Sequence, residues 1–252
     1  MKHARVVYKG TMYHAFEKNG SVQLNDGRLV NEHDVEWLPP LTPRTVFTLG
    51  LNYEDHAKEL SFNSSPREPL VFLKGPNTFT GHFGQAYRPE DVTFMHYECE
   101  LAVVIGGTAR NIDKKDAYQY VAGYTVANDY VIRDYLENYY RPNLCAKNRD
   151  SLTPLGPWFV DAEDIEDPMH LPLRTYINGE LKQEGNTCDM ILGVPELIEY
   201  LSSFMTLNTG DIILTGTPKG SVDTNVGDEV VTEVEGVGRL VSTIIGDEAF
   251  VK

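Results

Sequence analysis

Most apolar residues of this chain fall into short runs with the alternating or continuous pattern of β-strands. Val6-Val7-Tyr8, Met12 to Phe16 and Val22 to Leu24 read as short strands. Asn25-Asp26-Gly27 follows as a tight hairpin turn, since Asp-Gly tolerates positive φ. Leu38-Pro39-Pro40-Leu41-Thr42-Pro43 is a stiff, proline-punctuated connection. Thr45 to Gly50 then reads as a buried strand, with further strands at Asp211 to Thr215, Glu229 to Glu235 and Gly238 to Ile245. This pattern divides the chain into a small N-terminal β unit, residues 1–42, and a main domain, residues 43–252.

Helical signals are few. Asn52 to Leu60 and Lys114 to Val121 are short candidates. Val194 to Met205 is the clearest, with Val194, Leu197, Ile198, Leu201, Phe204 and Met205 on one stripe and Pro195 suited to the first turn. Strands outnumber helices and do not alternate strictly with them. That disfavours a doubly wound parallel fold and favours a mixed β-rich (α+β) architecture, a β-roll or β-sandwich with a few flanking helices.

With 252 residues, 41% of them hydrophobic, the chain can build one large domain and a small appendage. No apolar stretch approaches the roughly 20 residues that span a bilayer. The opening MKHARVVYKG does not read as a signal peptide. Cys99, Cys145 and Cys188 are odd in number and widely spaced, which argues against a zinc cluster or disulfide framework and for a reducing, cytoplasmic setting. A formal charge of −15 argues against nucleic acid or an anionic membrane as partner. An acidic small molecule would need local cations, and Lys74, Arg133, Lys147 and Lys219 are the candidates.

Glu98 and Glu100, in HYECELAVVIG, are two apart in a strand-like run and so point to the same face. A solvated outer face is the ordinary reading of such a pair. The apolar continuation favours another, in which two half-buried carboxylates share a divalent cation. Oxygen-only ligands suit Mg²⁺ or Mn²⁺. Asp129, at the polar end of GYTVANDY, is a third candidate, and His96 shares the parity of Glu98 as a ligand or a hydrogen-bond partner. His56 and Glu59 are three apart and share one helix face, an arrangement suited to moving a proton. Lys147 lies in a polar, turn-rich stretch and gains interest only if that stretch folds over the glutamates. Thr215-Gly216-Thr217-Pro218-Lys219-Gly220 ends a buried strand with small residues whose amides could approach an anion. Nucleotide-binding glycine motifs and the serine-hydrolase elbow are missing from the sequence.

Taken in order, LGLNYEDHAKE, PLVFLKGPNT, HYECELAVVIG, GYTVANDY, KNRDSLTPLGPW and the block ending in TGTPKG resemble the fumarylacetoacetate hydrolase family, from about Thr45 to Gly246. The resemblance implies a β-roll catalytic domain, usually a homodimer, that holds Mg²⁺ or Mn²⁺ on Glu98, Glu100 and Asp129. It also implies His56 and Glu59 as a proton relay, Lys147 as catalytic lysine and Thr217 in a substrate-binding turn. The implied activity is isomerisation or decarboxylation, through a dienolate, of a 2-oxo or 2-hydroxy-enoic diacid such as 2-hydroxyhepta-2,4-diene-1,7-dioate, or of the triacid 5-oxopent-3-ene-1,2,5-tricarboxylate. Acylpyruvate hydrolysis and oxaloacetate decarboxylation occur in the same family, and a non-catalytic module stabilised by Ca²⁺ is the alternative of another class. Arg133 or Lys74 would hold the far carboxylate. Where relatives often read DVSARDWQ, this chain reads DYVIRDYL, which keeps Arg133 and Asp134 and places Leu136 where a substrate-touching glutamine often stands.

Overall fold

Two large sheets and a two-stranded ribbon, Met95–His96 against Val131–Ile132, carry the described residues, 1–60, 69–136 and 143–250, of the computed structural model. Among the described residues the larger sheet has 12 strands. Its main order is Leu29–Val30, Ser21–Leu24, Thr11–Lys18, Lys2–Tyr8, Thr153–Asp161, Val121–Asn128, Cys99–Ile105, Ile212–Leu214, Val46–Gly50, Leu70–Lys74. The second sheet runs Glu180–Asn186, Pro172–Ile177, Glu229–Val234, Gly238–Ile245, Gly84–Tyr87. The architecture is sheet-rich with few helices, as the strand-dominated pattern predicts.

The N-terminal strands gather their own apolar cluster of Ala4, Val6, Ala15, Val22, Leu24, Val35 and Trp37. Lys2–Tyr8 also pairs with Thr153–Asp161, so these strands extend the large sheet. Strand alternation separates the two faces of the central strands. Cys99, Leu101, Val103 and Ile105 enter the main core, against Val194, Leu197, Ile198 and Leu201 of the helix Val194–Phe204. Phe204, which the spacing adds to that helical stripe, is instead 58% exposed, because the helix ends there. On the opposite face Ala102 and Val104 join a smaller cluster with Val46, Ala127, Leu155, Ile212 and Leu214. The polar end of this second face holds the candidate site.

Lys114–Tyr120 is a 3-10 helix, one turn type tighter than the α-helix its spacing suggests. Lys147 closes a single helical turn, Leu144–Lys147, that packs inward, which differs from the solvated loop its polar surroundings suggest.

Candidate metal centre and proton relay

Register brings the three acidic residues together. Cys99–Ile105 and Val121–Asn128 are antiparallel, with Cys99 opposite Asn128 and Glu100 opposite Ala127. One step beyond, the Asp129 amide donates to the Glu98 carbonyl at 2.9 Å, and the Glu98 amide donates to Asn128 Oδ1 at 3.1 Å. Glu98, Glu100 and Asp129 therefore meet at one strand end, each able to offer an oxygen within 4.8 Å of the others. Their exposures of 7%, 0% and 0% exclude a solvated outer face.

Isolated buried carboxylates cost several kcal/mol each, so their partners decide the site. Lys74 Nζ donates to Asp129 Oδ1 at 2.6 Å and to the Lys147 carbonyl. Lys147 Nζ donates to Glu98 Oε2 at 2.5 Å and to Asp129 Oδ2 at 2.9 Å. Thr48 Oγ1 also donates to Asp129 Oδ2 at 2.7 Å. Burial pushes the Asp129 carboxyl up, but Lys147 and Lys74 outweigh it and bring it down to about 2. Burial likewise opposes ionisation of Glu98, and Lys147 again prevails, so its pKa lies below the usual value. Lys147 itself loses by burial and gains more from Asp129, Glu98 and Glu100, which hold it above its ordinary range.

Two lysines balance two carboxylates, and Glu100 is the third. One of its oxygens accepts from the Gly216 amide at 2.5 Å, while Oε1 is buried with no hydrogen-bond partner among the described residues. Burial, then Asp129 and Glu98, push its pKa well above the usual value. An all-oxygen, buried donor set with one orphaned carboxylate oxygen fits a hard divalent cation such as Mg²⁺ or Mn²⁺. Gly216 is held where it is by geometry: its φ is +92°, and an added Cβ would stand 2.9 Å from Asn52 Cβ. Asn52 donates to the Thr215 carbonyl at 2.8 Å, tying this turn to the end of the strand Val46–Gly50.

The candidate relay pair, His56 and Glu59, approaches from the helix Glu54–Glu59. His56 Nδ1 and Glu59 Oε2 are 3.0 Å apart, and His56 Nε2 lies 3.9 Å from Glu98 Oε1. Glu59 also accepts from the Gly220 amide, at 3.1 and 3.4 Å to its two oxygens. The turn named by Thr217 thus touches both groups, through Gly216 at Glu100 and through Gly220 at Glu59. Thr217 Oγ1 accepts from Gln183 Nε2 at 3.0 Å. Lys219 pairs at the surface with Asp55, 3.0 Å away.

The remaining cations divide. Lys74, read from sequence as one of two candidates for a distant carboxylate, is instead engaged with Asp129 inside the cluster. Arg133 donates from Nε to His96 Nε2 at 2.8 Å, and its Nη2 is buried without a hydrogen-bond partner among the described residues. His96 Nδ1 faces the Tyr97 carbonyl at 2.8 Å and must carry the proton there, leaving Nε2 free to accept. Burial pushes the imidazole pKa down to about 4, so His96 is a neutral support for Arg133 and stands outside the oxygen cluster. Thr48, Tyr97 and Gln183 escaped the sequence reading. The only signal for Thr48 was a hydroxyl in the apolar run VFTLG.

A family model for the C-terminal domain of fumarylacetoacetate (FAA) hydrolase matches residues 45–245. Over 205 residues the chain is 62% identical to the 4-hydroxyphenylacetate degradation bifunctional isomerase/decarboxylase of Salmonella dublin, covering 81% of this chain and 48% of that protein. The chain spans about half the length of this relative and of two bifunctional isomerase/decarboxylases of Escherichia coli that it also matches. The fold superimposes on 5-carboxymethyl-2-hydroxymuconate delta-isomerase from Mycobacterium smegmatis with a TM-score of 0.86 at 33% identity, covering 98% of this chain and 99% of that one. For 2-hydroxyhepta-2,4-diene-1,7-dioate isomerase from Mycobacterium marinum the TM-score is 0.82 at 30% identity, over 98% and 99% of the two chains. Every residue of the carboxylate cluster and the relay lies inside the matched segment, and the chain belongs to the fumarylacetoacetate hydrolase family.

Proposed function

We propose that this chain is a divalent-metal-dependent isomerase/decarboxylase of 2-oxo or 2-hydroxy-enoic di- and triacids, of the kind represented by 2-hydroxyhepta-2,4-diene-1,7-dioate and 5-oxopent-3-ene-1,2,5-tricarboxylate. The observation that carries this reading is the buried cluster in which two lysines balance two of three carboxylates and Glu100 keeps an oxygen unpartnered among the described residues. Similarity to the Salmonella dublin isomerase/decarboxylase supports the substrate class.

Glu98, Glu100 and Asp129 would hold Mg²⁺ or Mn²⁺. When bound, such an ion supplies Lewis-acid stabilisation of negative charge developing on a 2-oxo acid. Lys147, fixed against Glu98 and Asp129, adds a full positive charge at the same place. Glu59 accepts the Nδ1 proton of His56 and sets its tautomer, so Nε2 is free to take a proton from a substrate carbon, directly or through one water. In isomerisation that proton returns to a different carbon. In decarboxylation carbon dioxide leaves, its bonding electrons stay on the carbon as the enolate, and His56, having first taken a proton from water at Nε2, delivers that proton to the carbon. Arg133, with Nη2 unpartnered among the described residues and Nε held by His96, is the cation for the far carboxylate.

The experiment compares three substrate classes with added Mg²⁺: the heptadienedioate, an acylpyruvate and oxaloacetate. Preferential turnover of the dioate supports the reading. Preferential hydrolysis of the acylpyruvate would assign the same site to a hydrolase.

A further inference from the structure

Glu59 sits on a helix of six residues and its side chain is one-third exposed, so the short helix alone does not fix its carboxylate. Among the described residues, its partner besides His56 is the backbone amide of Gly220. Gly220 is itself gripped from the other side. The hydroxyl of Tyr97, a residue with no exposed surface, donates to the Gly220 carbonyl at 2.6 Å. Gly220 has a φ of +110°, and a Cβ there would meet the Lys182 carbonyl at 2.9 Å, so its backbone is packed against the neighbouring strand. Gln183, also buried, donates to the Pro218 carbonyl at 2.7 Å. Phenylalanine would fill the space of Tyr97 equally well, and the hydroxyl's contribution is its hydrogen bonding to the backbone of this turn, the hold on Gly220 and a contact with Val222.

We infer that Tyr97 is a positioning residue of the proton relay, orienting Glu59 through Gly220. Tyr97 touches neither Glu59 nor His56. Its hydrogen bond limits the rotation of Gly220, which aims the amide at Glu59, which in turn holds Nδ1 of His56. The segment His96-Tyr97-Glu98 then serves the site three ways, because alternate side chains reach opposite faces. His96 braces Arg133, Tyr97 braces the relay and Glu98 belongs to the carboxylate cluster.

This inference rests on the relay reading of His56 and Glu59, and the test separates the two. Tyr97→Phe is made in the wild-type chain and in Glu59→Gln, with turnover, KM, Mn²⁺ affinity and melting temperature measured for each. Losing one net hydrogen bond should lower kcat about two- to tenfold in the wild-type background. KM and Mn²⁺ affinity should not change. In Glu59→Gln the same substitution should cost nothing further, since coupled groups are non-additive. Gly220→Ala, which displaces the amide by strain, should show the same dependence on Glu59 and serves if Tyr97→Phe folds poorly. An equal loss in both backgrounds, or an unchanged kcat in Tyr97→Phe, overturns the inference and leaves the relay standing. Wild-type turnover by Glu59→Gln itself overturns both.

Discussion

Nε2 of His56 stands 3.9 Å from Oε1 of Glu98, so the His56–Glu59 pair and the carboxylate cluster face one another. The two come from distant parts of the chain: His56 from a short helix after one sheet strand, Glu98 from the start of another. In the proposed reaction, their meeting would tie the acid–base chemistry to the place where negative charge is stabilised.

Glu100 is the residue whose replacement isolates metal binding. Glu100→Gln keeps a carbonyl oxygen for the Gly216 amide and removes a carboxyl whose ionisation burial opposes. Mn²⁺ binding and metal-dependent turnover should be lost, while the metal-free melting temperature at neutral pH holds or rises. Calorimetric titration with Mn²⁺ alongside thermal melting checks both halves. Retained binding, or a folded state that collapses, would count against the assignment.

Metal binding should release a proton. Burial, then Asp129 and Glu98, hold the Glu100 carboxyl well above its usual pKa, so without metal it keeps its proton to higher pH. A divalent ion requires the carboxylate, hence affinity strengthens as pH rises through the raised pKa, by up to about tenfold per pH unit. In the metal-free protein the sign is opposite. The folded state holds a proton the unfolded chain has lost, so this group's contribution to stability falls as pH rises from the ordinary carboxyl pKa towards the raised one. Mn²⁺ titrations at one pH in two buffers of different protonation enthalpy should give different heats. Identical heats would contradict proton release.

The relay should behave as one unit. His56→Ala or Glu59→Ala should each lose roughly 10²–10⁴ in kcat, the range of general acid–base catalysis. The double variant should lose little more. Solvent deuterium incorporation at the substrate carbon follows the proton directly, and fully multiplicative losses would mean two independent roles.

Arg133 should discriminate by charge. Arg133→Ala should lower selectivity for a dioate over a short acylpyruvate by about one to two orders of magnitude, the scale of one charge-assisted hydrogen bond. The ratio of kcat/KM for the two substrates reports it. Equal losses would make Arg133 a scaffold for His96.

The central strands and the convergence of the acidic residues were legible in the sequence because strand parity is a local rule. Two residues apart on HYECELAVVIG means one face, and that held for Glu98 and Glu100. The spacing of His56 and Glu59 likewise fixed their 3.0 Å contact, since three residues make nearly one helical turn. What lay beyond reach depends on packing between distant segments. Lys74 reads as a free cation in PLVFLKGPNT, and only the pairing of its strand beside Val46–Gly50 carries it to Asp129. The inward turn of Lys147 and the grip of Tyr97 on Gly220 span 49 and 123 residues of sequence separation, a distance no local pattern encodes.

Ultraviolet turnover of 2-hydroxyhepta-2,4-diene-1,7-dioate by protein stripped of metal, then titrated with Mg²⁺, tests the central claim most directly. No turnover should occur in chelator, and activity should rise and saturate as Mg²⁺ fills the site of Glu98, Glu100 and Asp129. Undiminished turnover in chelator, or none at saturating Mg²⁺ or Mn²⁺, would contradict the account.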